Sequence, residues 1–351
     1  MREEYQAIIV GSGPAGAACA KALNNEGVEA LVIEKDKLPR NKICSAVLFG
    51  QTQVLLDKYF DGLPPEDVYC DPKIIKADNI LEWKKGKGFF NYIWELPKDG
   101  RSFPKDFYNV WRSKFDYWLL NESGVAYRDD CKFNNYSIDN GKIKVEISRN
   151  GKDNINLYCS YLIGADGGGS RLRPLLDPSF MKIEQTLSIY QAYYRYSNIG
   201  SLKDAHWYVF FEPQIGDAFS VVHRKDDFLT LCVCGFKGRS LKKSMEDFKN
   251  LLADNFQVVL KDMERDEGCV VKKAPPCLGK GNIILTGEAA GIFYLNGEGI
   301  SASIDSGYRA GKAVAHGIKE GGNVLEIYGK EMEGILNHMK MCVEKTHMFV
   351  V

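Results

Sequence analysis

The chain has 351 residues, enough for two to three domains, and its 45% hydrophobic and 26% charged residues are typical of a globular protein. Basic and acidic residues both number 46, so the formal net charge of +0 gives no global attraction to nucleic acid or to an anionic membrane. No apolar run reaches the roughly 20 residues of a transmembrane helix, and the ten cysteines lack the spacing of a zinc or disulfide framework.

The first predicted strand, Ala7–Val10, begins within a few residues of Met1. A cleaved signal peptide does not fit there, so we expect a cytoplasmic protein in which most of the ten cysteines are free thiols and which holds no metal. The strand runs directly into Gly-x-Gly-x-x-Gly at residues 11–16, a helix follows, and a second strand, Ala30–Ile33, ends in Glu34. This order is typical of a dinucleotide-binding fold.

Each part of this segment has a physical role in such a fold. The first glycine permits a tight turn, the second lets the backbone approach a pyrophosphate, and the third lets the helix pack closely on the strand. The free N–H groups at the helix N-terminus, together with the positive end of its dipole, favour the phosphates. Glu34 is placed to accept a hydrogen bond from a ribose hydroxyl.

The loop after Glu34 carries a basic cluster, Lys35–Lys42, before it reaches Cys44. We interpret this cluster as solvated, with a binding face for an anionic donor or headgroup as the alternative. Residues 72–104 predict short strands rich in aromatic side chains. Residues 107–120 begin extended and become helical, with an apolar stripe at positions i, i+3 and i+4.

Two antiparallel regions come next. Residues 132–163 predict a β-meander with hairpin turns at Asn140-Gly141 and Asn150-Gly151, and residues 186–236 predict a second, aromatic-rich sheet. The aromatic side chains of that sheet either pack its core or line an apolar substrate cavity. His223, at the end of one of its strands, is interpreted as a surface or hydrogen-bonded histidine. The last predicted elements are a helix at 241–255, a short strand at 281–287 and helices at 299–317 and 324–345.

Two further motifs share the composition of the glycine turn. The first is Gly-Ala-Asp-Gly-Gly-Gly-Ser-Arg-Leu-Arg, which contains Asp166 and follows the last strand of the meander. The second is Gly-Glu-Ala-Ala-Gly from residue 287, followed after five residues by Gly-Glu-Gly-Ile from residue 297. Each motif puts small residues and one carboxylate at the end of a strand, as a long bound dinucleotide requires.

Taken together, the motifs resemble those of FAD-dependent oxidoreductases with the glutathione-reductase-type fold, which includes the aromatic hydroxylases. Within that group the chain is similar to the geranylgeranyl reductase family. Four segments carry the likeness: the glycine turn, Lys42-x-Cys44, Arg112-x-x-Phe115-Asp116, and the Gly-Glu-Ala-Ala-Gly and Gly-Glu-Gly-Ile pair. The resemblance implies an α/β fold in which a Rossmann-like FAD-binding domain carries an inserted antiparallel-sheet substrate domain.

The implied FAD-binding domain is discontinuous and takes residues 1–71, 105–180 and 270–323. The substrate domain takes 72–104 and 181–269, and a C-terminal helix occupies 324–351. The expected cofactor-binding residues are Gly11, Gly13, Pro14, Ala15, Gly16, Glu34, Lys35, Cys44, Ser45, Ala46, Arg112, Asp166, Gly167, Gly287, Glu288, Gly297, Gly299 and Ile300.

By resemblance, Glu34 binds the adenosine ribose, Arg112 lies near the FAD phosphates, and Glu288 meets the ribityl chain or the pyrophosphate. Gly297 and Gly299 lie against the isoalloxazine. Cys44 lies near the flavin face in the substrate pocket and is the candidate catalytic residue. Its alternative role is that of a small pocket-lining side chain, since a thiol reacts only where its surroundings support the thiolate.

The chain departs from the family pattern at three places. Ser45 and Ala46 stand where the family usually has glycines, and Glu288 stands where it usually has aspartate. Phe219–His223 replaces an aromatic and proline pattern of the substrate sheet. The last change leaves short or cyclic substrates open beside long prenyl chains.

The resemblance implies a reductase of C=C bonds in an apolar, isoprenoid-like or lipid-like substrate, acting by hydride transfer from reduced flavin. The alternatives are an FAD-dependent monooxygenase or hydroxylase and a flavin-binding protein without catalysis. A halogenase is disfavoured because Trp-x-Trp-x-Ile-Pro is absent. No second Gly-x-Gly-x-x-Gly follows a strand, so the electron donor, NAD(P)H or a redox protein, is left open, as is peripheral membrane contact.

Overall fold

The structure is a computed structural model that describes residues 3–76, 80–91, 104, 106–149, 153–184, 186–294 and 298–345. The predicted turn Asn150-Gly151 and the predicted site residue Gly297 lie outside the described residues.

The strands, in chain order, are β1 (Glu4–Val10), β2 (Ala30–Ile33), β3 (Val47–Leu48), β4 (Tyr69–Lys76), β5 (Ile80–Lys84), β6 (Gly88–Asn91), β7 (Asp106–Val110), β8 (Ala126–Arg128), β9 (Cys131–Asp139), β10 (Lys142–Arg149), β11 (Asp153–Gly164), β12 (Thr186–Asn198), β13 (Trp207–Phe210), β14 (Ser220–Lys225), β15 (Phe228–Phe236), β16 (Val259–Lys272), β17 (Gly279–Lys280) and β18 (Ile283–Leu285). The α-helices are α1 (Pro14–Asn25), α2 (Gly50–Phe60), α3 (Arg112–Glu122), α4 (Arg173–Leu176), α5 (Leu241–Phe256), α6 (Ile300–Glu320) and α7 (Val324–Lys345).

The first sheet is built around five parallel strands in the order β18–β11–β1–β2–β8, and β17, β10 and β9 join it in antiparallel pairings. β1 is central, with Ile9 opposite Ile163 of β11. Its run Ala7–Val10 is buried, as expected for a parallel strand that is covered on both faces. Helices α1 and α6 pack closely because Gly307 lies against α1, where a Cβ atom would come within 2.2 Å of the Ala15 carbonyl oxygen.

This topology decides where the sequence motifs meet. β1, β11 and β18 are neighbours and run the same way, so their C-terminal residues Val10, Gly164 and Leu285 lie side by side. The glycine turn, the Asp-Gly turn and the Gly-Glu-Ala-Ala-Gly segment each follow one of these ends. The three motifs therefore gather at one edge of the sheet, where open α/β sheets bind their ligands. We call the C-terminal ends of β1, β11 and β18, with the motifs that follow them, the motif edge.

The second sheet has the order β16–β12–β15–β14–β13–β5–β6, and its neighbouring strands are antiparallel except for β13 and β5. Helix α5 packs on one side, where Phe248 shares a buried cluster with Val222 and Leu231. Because side chains alternate along a strand, the neighbouring residues point the other way. We call that opposite side the inner face; it comprises Gln191, Tyr193, Trp207, Val209, Val221, His223, Thr230, Cys232 and Cys234.

A third, three-stranded sheet, β3–β7–β4, packs on the inner face. Each of its strands supplies one apolar side chain, Val47, Phe107 or Ile75, to a cluster that also contains Val221 and Cys232. The inner face is thus covered by residues that follow the glycine turn in sequence, and this brings the second sheet to the motif edge of the first.

Most predicted elements are present, and two comparisons are instructive. Asn140-Gly141 joins β9 to β10 with positive φ at both residues, 51° and 78°, as a type I′ hairpin turn requires. β16, in contrast, was not predicted, because this edge strand is charged and largely exposed and shows no apolar alternation. None of the helices in the described part of the chain is long and apolar enough to cross a membrane.

Candidate functional site

The glycine turn combines one crowded position with one open position. A Cβ atom on Gly16 would lie 1.9 Å from the Gly11 carbonyl oxygen, so glycine is required there for the helix to close on the strand. Gly13 precedes the first residue of α1, and no side chain caps the helix. The nearest atom to a Cβ placed on Gly13 is Nη2 of Arg40, at 3.6 Å. Free N–H groups and open space therefore meet at the start of α1, as an anionic phosphate requires.

Glu34 lies at the end of β2, only 3% exposed, and its carboxylate is well satisfied. It accepts hydrogen bonds from Oγ of Ser12 at 2.7 Å and from the backbone N–H groups of Ser12 and Asp36 at 3.1 Å. Nε of Arg40 lies 3.2 Å from the same carboxylate. Burial acts to raise the pKa of Glu34, but the Arg40 charge and these hydrogen bonds outweigh it, and the pKa is lowered.

Arg40 connects two carboxylates, and its side chain is only 13% exposed. Besides Glu34 it contacts Asp116, with Nη1 at 3.2 Å from Oδ2, and Arg112 clamps the same Asp116 through bonds of 2.7 and 2.8 Å. The interpretation of the basic cluster as solvated is therefore wrong at Arg40. It holds at Lys35, whose side chain is 66% exposed and lies 3.4 Å from Asp36. We call Glu34, Arg40, Asp116 and Arg112 the charge ladder.

Asp166 lies in the turn after β11, and its two carboxylate oxygens differ in their hydrogen bonding. Oδ2 accepts from the backbone N–H groups of Arg171, at 2.7 Å, and of Leu172, at 3.3 Å. Oδ1 is buried and has no hydrogen-bond partner among the described residues. Burial raises the pKa of Asp166, and hydrogen bonding from the Ser170 side chain and from the backbone N–H groups of Arg171 and Leu172 opposes that rise. Gly167 adopts a φ of +74°, which allows the turn to reverse here.

Glu288 lies directly over the Asp-Gly turn. A Cβ atom on Gly168 would lie 2.3 Å from Oε1 of Glu288, so the glutamate occupies the space that a side chain at position 168 would take. Arg173 fixes the two segments to each other, because it donates to the carbonyl oxygens of Ala289, at 3.3 Å, and Pro275, at 2.6 Å. The Glu288 segment also contacts α1, since a Cβ on Gly287 would meet Cβ of Ala15 at 2.8 Å.

Helix α6 begins at Ile300, with Gly299 before it and no side-chain cap at that residue. A Cβ on Gly299 would meet only Cβ of Phe293, at 4.0 Å, so this helix start is also open. Glu298 is buried, and its carboxylate is hydrogen-bonded within the protein. It accepts from the backbone N–H of Ser301 at 2.8 Å and from Oγ1 of Thr52 at 3.3 Å. The first turn of α6 is therefore already bound by a carboxylate of this chain, and Gly299 contributes open space to the motif edge.

The segment Cys44–Ala46 joins the motif edge to the inner face. The carbonyl oxygen of Cys44 accepts from Nε2 of Gln191 at 3.4 Å, and the carbonyl oxygen of Ser45 accepts from Nε2 of His223 at 3.2 Å. Sγ of Cys44 accepts from the backbone N–H of Ala46 at 3.3 Å. His223 is therefore hydrogen-bonded but buried, not at the surface. This placement agrees with a role for Cys44 beside the substrate, which stays a prediction.

The described residues can hold an extended, anionic dinucleotide. The open start of α1, the open space beside Gly299, a buried carboxylate oxygen without a partner and small residues at three strand ends lie along one edge of the sheet. No group of three or more His, Cys, Asp or Glu side chains in the described part of the chain is placed to hold a metal ion. Arg40 was missed from the sequence because nothing in a run of basic residues marks the one that meets two carboxylates.

Several known proteins are similar to this chain in sequence. Residues 4–57 match the family model of an FAD binding domain. The digeranylgeranylglycerophospholipid reductase 2 of Methanopyrus kandleri is 25% identical over 335 residues, which are 90% of this chain and 78% of that protein. A flavin-dependent halogenase of Armillaria mellea is 34% identical over 122 residues, which are 34% of this chain and 22% of the halogenase.

A solved structure shares the fold over the full chain. A geranylgeranyl bacteriochlorophyll reductase-like protein of Thermoplasma acidophilum superposes with a TM-score of 0.79 at 16% identity, covering 100% of this chain and 89% of that one. The expected fold class is thereby confirmed, and the family model and the flavin-dependent relatives confirm FAD as the cofactor. The predicted domain bounds and the individual site residues stay predictions.

Proposed function

We propose that the chain is a geranylgeranyl-reductase-like FAD-dependent oxidoreductase and that it reduces a C=C bond in an apolar, isoprenoid-like substrate. FAD, when bound and reduced, supplies the hydride for such a reaction. The protein's part is to bind the cofactor at the motif edge, to hold the substrate beside it, and to keep water out.

The observation that carries this proposal is the apolar part of the inner face. Val209, Val221, Cys232 and Cys234 are buried in one cluster with side chains of β3, β4 and β7 and form the base of this region. Half-buried apolar side chains continue that cluster: Phe49, Ile189, Phe211, Ala218, Phe219 and Phe236. A cluster of this kind, next to Cys44–Ala46, supports an apolar substrate, because it offers the dispersion contacts and the dry surroundings that a hydrocarbon chain needs.

Several groups of this chain have roles in the proposal. The open helix start at Gly13 binds negative charge through N–H groups, and Gly299 leaves space for the cofactor at the start of α6. The charge ladder fixes the loop between β2 and Cys44, because Arg40 ties it to both Glu34 and Asp116. Cys44 and Ser45 then close the space between the motif edge and the inner face through their carbonyl contacts to Gln191 and His223.

A monooxygenase or halogenase is the second candidate. The sequence match to a flavin-dependent halogenase favours it, although that match covers 34% of this chain and 22% of the halogenase. The matches to digeranylgeranylglycerophospholipid reductases cover 90% and 96% of this chain. Because the reductase matches include the substrate sheet as well as the FAD-binding region, they support the reductase proposal more strongly.

The test is anaerobic. Chemically reduced holoprotein is mixed in a stopped-flow instrument with isoprenoid alkenes of several lengths and with cyclic alkenes, and the flavin absorbance and the product mass are measured. We expect reoxidation and a product that gains two hydrogens and no oxygen. The saturated analogue of each substrate is the control and should leave the flavin reduced. Cys44→Ala should keep FAD but change the reoxidation rate or the substrate preference.

Two results would contradict the reductase proposal. Products that gain one oxygen or a halogen, and that form only in air, would move the assignment to the monooxygenase or halogenase class. A reduced flavin that no alkene in the panel reoxidises would contradict the reductase proposal.

A further inference from the structure

Three polar atoms on the inner face are buried and have no hydrogen-bond partner among the described residues. They are Nε1 of Trp207, Nδ1 of His223 and Oγ1 of Thr230. Trp207 stands directly opposite His223 across β13 and β14, and His223 stands directly opposite Thr230 across β14 and β15. Side chains at directly opposed positions share a face and lie close together, so the three form one row. We call it the polar row.

The hydrogen-bonding state of His223 follows from its other nitrogen. Nε2 lies 3.2 Å from the carbonyl oxygen of Ser45, and a carbonyl oxygen can only accept, so Nε2 carries the hydrogen. Burial lowers the pKa of His223 well below its usual value, and Lys225 lowers it further, so the ring is neutral. Nδ1 therefore presents a lone pair and acts as an acceptor.

The three groups together select one kind of ligand atom. Trp207 can only donate, His223 Nδ1 can only accept, and Thr230 can do both. A carboxylate has no hydrogen to give to Nδ1, an ammonium cannot accept from the indole, and an ether or ketone oxygen cannot donate. A hydroxyl group both donates and accepts, and it is uncharged, as a buried site requires.

We propose that the polar row binds the hydroxyl group of an amphipathic alcohol whose hydrocarbon part lies along the half-buried apolar side chains that border the inner face. The choice of a hydrocarbon ligand depends on the proposed function, whereas the hydroxyl site is inferred from the polar row alone. Among those half-buried side chains, Phe49 lies next to the row, with its ring centroid 6.0 Å from that of Trp207. Ser45, which binds His223, places the anchored end next to Cys44.

A water molecule offers the same chemistry as an alcohol, and the stability of the ligand-free protein distinguishes the two. An unpaired buried hydroxyl is a cost to folding, so the isosteric change Thr230→Val should raise the melting temperature of the ligand-free holoprotein by about 2 °C. Thr52→Val is the matched control. Thr52 is equally buried, but its hydroxyl is paired with Glu298, so this change should lower the melting temperature.

Binding supplies the second measurement. Farnesol and farnesyl methyl ether are titrated into the oxidised holoprotein by equilibrium dialysis. The wild-type protein should bind the alcohol about tenfold more tightly than the ether, since one buried hydrogen-bond group is matched by the first and not by the second. Thr230→Val and Trp207→Phe should abolish that preference and leave the affinity for the ether nearly unchanged.

Two results would overturn the assignment. If Thr230→Val lowers the melting temperature as Thr52→Val does, a resident water fills the row. If the wild-type protein binds alcohol and ether equally, the row is not a ligand site. A preference for the alcohol without any reoxidation by alkenes would support the row and contradict the reductase. Reoxidation of the reduced flavin by alkenes, without a preference for the alcohol over the ether, would support the reductase and contradict the row.

Discussion

The motif edge of the parallel sheet and the inner face of the antiparallel sheet are two halves of one candidate site, and they are built differently. At the motif edge the chain presents backbone N–H groups and small residues, contributed by three short contiguous segments. On the inner face it presents side chains, and each strand contributes only alternate residues. Recognition through the backbone constrains neighbouring residues, whereas recognition through side chains constrains residues that are distant in sequence.

The largest expected effect separates two glycines within the motif edge. Gly16→Val should destabilise the fold by about 3 kcal/mol or more, because its Cβ would lie 1.9 Å from a backbone oxygen that cannot move aside. Gly13→Val should leave the fold intact, because only Nη2 of Arg40 is near. It should nevertheless weaken FAD binding roughly a hundredfold or more by closing the space above the helix start.

Thermal unfolding of the apoproteins and titration with FAD measure the two effects separately. Glu34→Ala belongs in the same series and should weaken FAD binding by a smaller factor than Gly13→Val, since it removes hydrogen bonds and leaves the space open. If Gly13→Val and Glu34→Ala retain FAD equally well, the pyrophosphate does not lie at Gly13.

An intermediate effect is expected at the charge ladder, which side chains build within the motif edge. Arg40→Ala leaves the buried carboxylates of Glu34 and Asp116 without their shared cation, and it should cost about 3 kcal/mol of the free energy of unfolding at neutral pH. Lys35→Ala is the matched control on the same loop. Its side chain is mostly exposed, so its effect should stay within about 0.5 kcal/mol.

The pH dependence sharpens this prediction. The pKa of Glu34 is lowered in the folded chain, so its contribution to stability is present above its ordinary pKa and is lost as the pH falls through the folded value. In Arg40→Ala, burial is no longer offset by the cation, and the loss should begin at a higher pH. Chemical denaturation between pH 7 and pH 3 should show the two proteins converging at the acid end. A constant difference across that range would contradict the coupling of Arg40 to Glu34.

The same contrast explains what the sequence could reveal. Glu34 and the glycines were predicted because their spacing follows from a turn between a buried strand and a helix. Arg40, His223 and Thr230 have no such local signature, since their roles depend on the register of strands and on a loop that folds back over them. β16 was missed for a related reason: an edge strand that is exposed along much of its length needs no apolar alternation.

The smallest predicted effect concerns Gly168 and Glu288, a pair in which a small backbone position makes room for a side chain. Glu288 stands where an aspartate is usual in the family, and its longer side chain lies over Gly168, within 2.3 Å of a Cβ placed there. The glycine therefore accommodates the extra methylene of the glutamate. Gly168→Ala should push the carboxylate away and weaken FAD binding about tenfold with little change in stability, because the atom in the way is the end of a flexible side chain.

The reverse change on the partner tests the pairing. Combining Gly168→Ala with Glu288→Asp should restore most of the lost affinity, since the shorter carboxylate leaves room for the new methyl group. Gly169→Ala is the control in the same turn; it is exposed, no atom lies within 4 Å of its Cβ, and FAD binding should not change. Fluorescence titration of the wild-type protein, Gly168→Ala, Glu288→Asp and the double variant with FAD gives the coupling directly. Additive losses in the double variant would mean that Gly168 and Glu288 act independently, and that the turn requires glycine for a reason other than the length of the carboxylate above it.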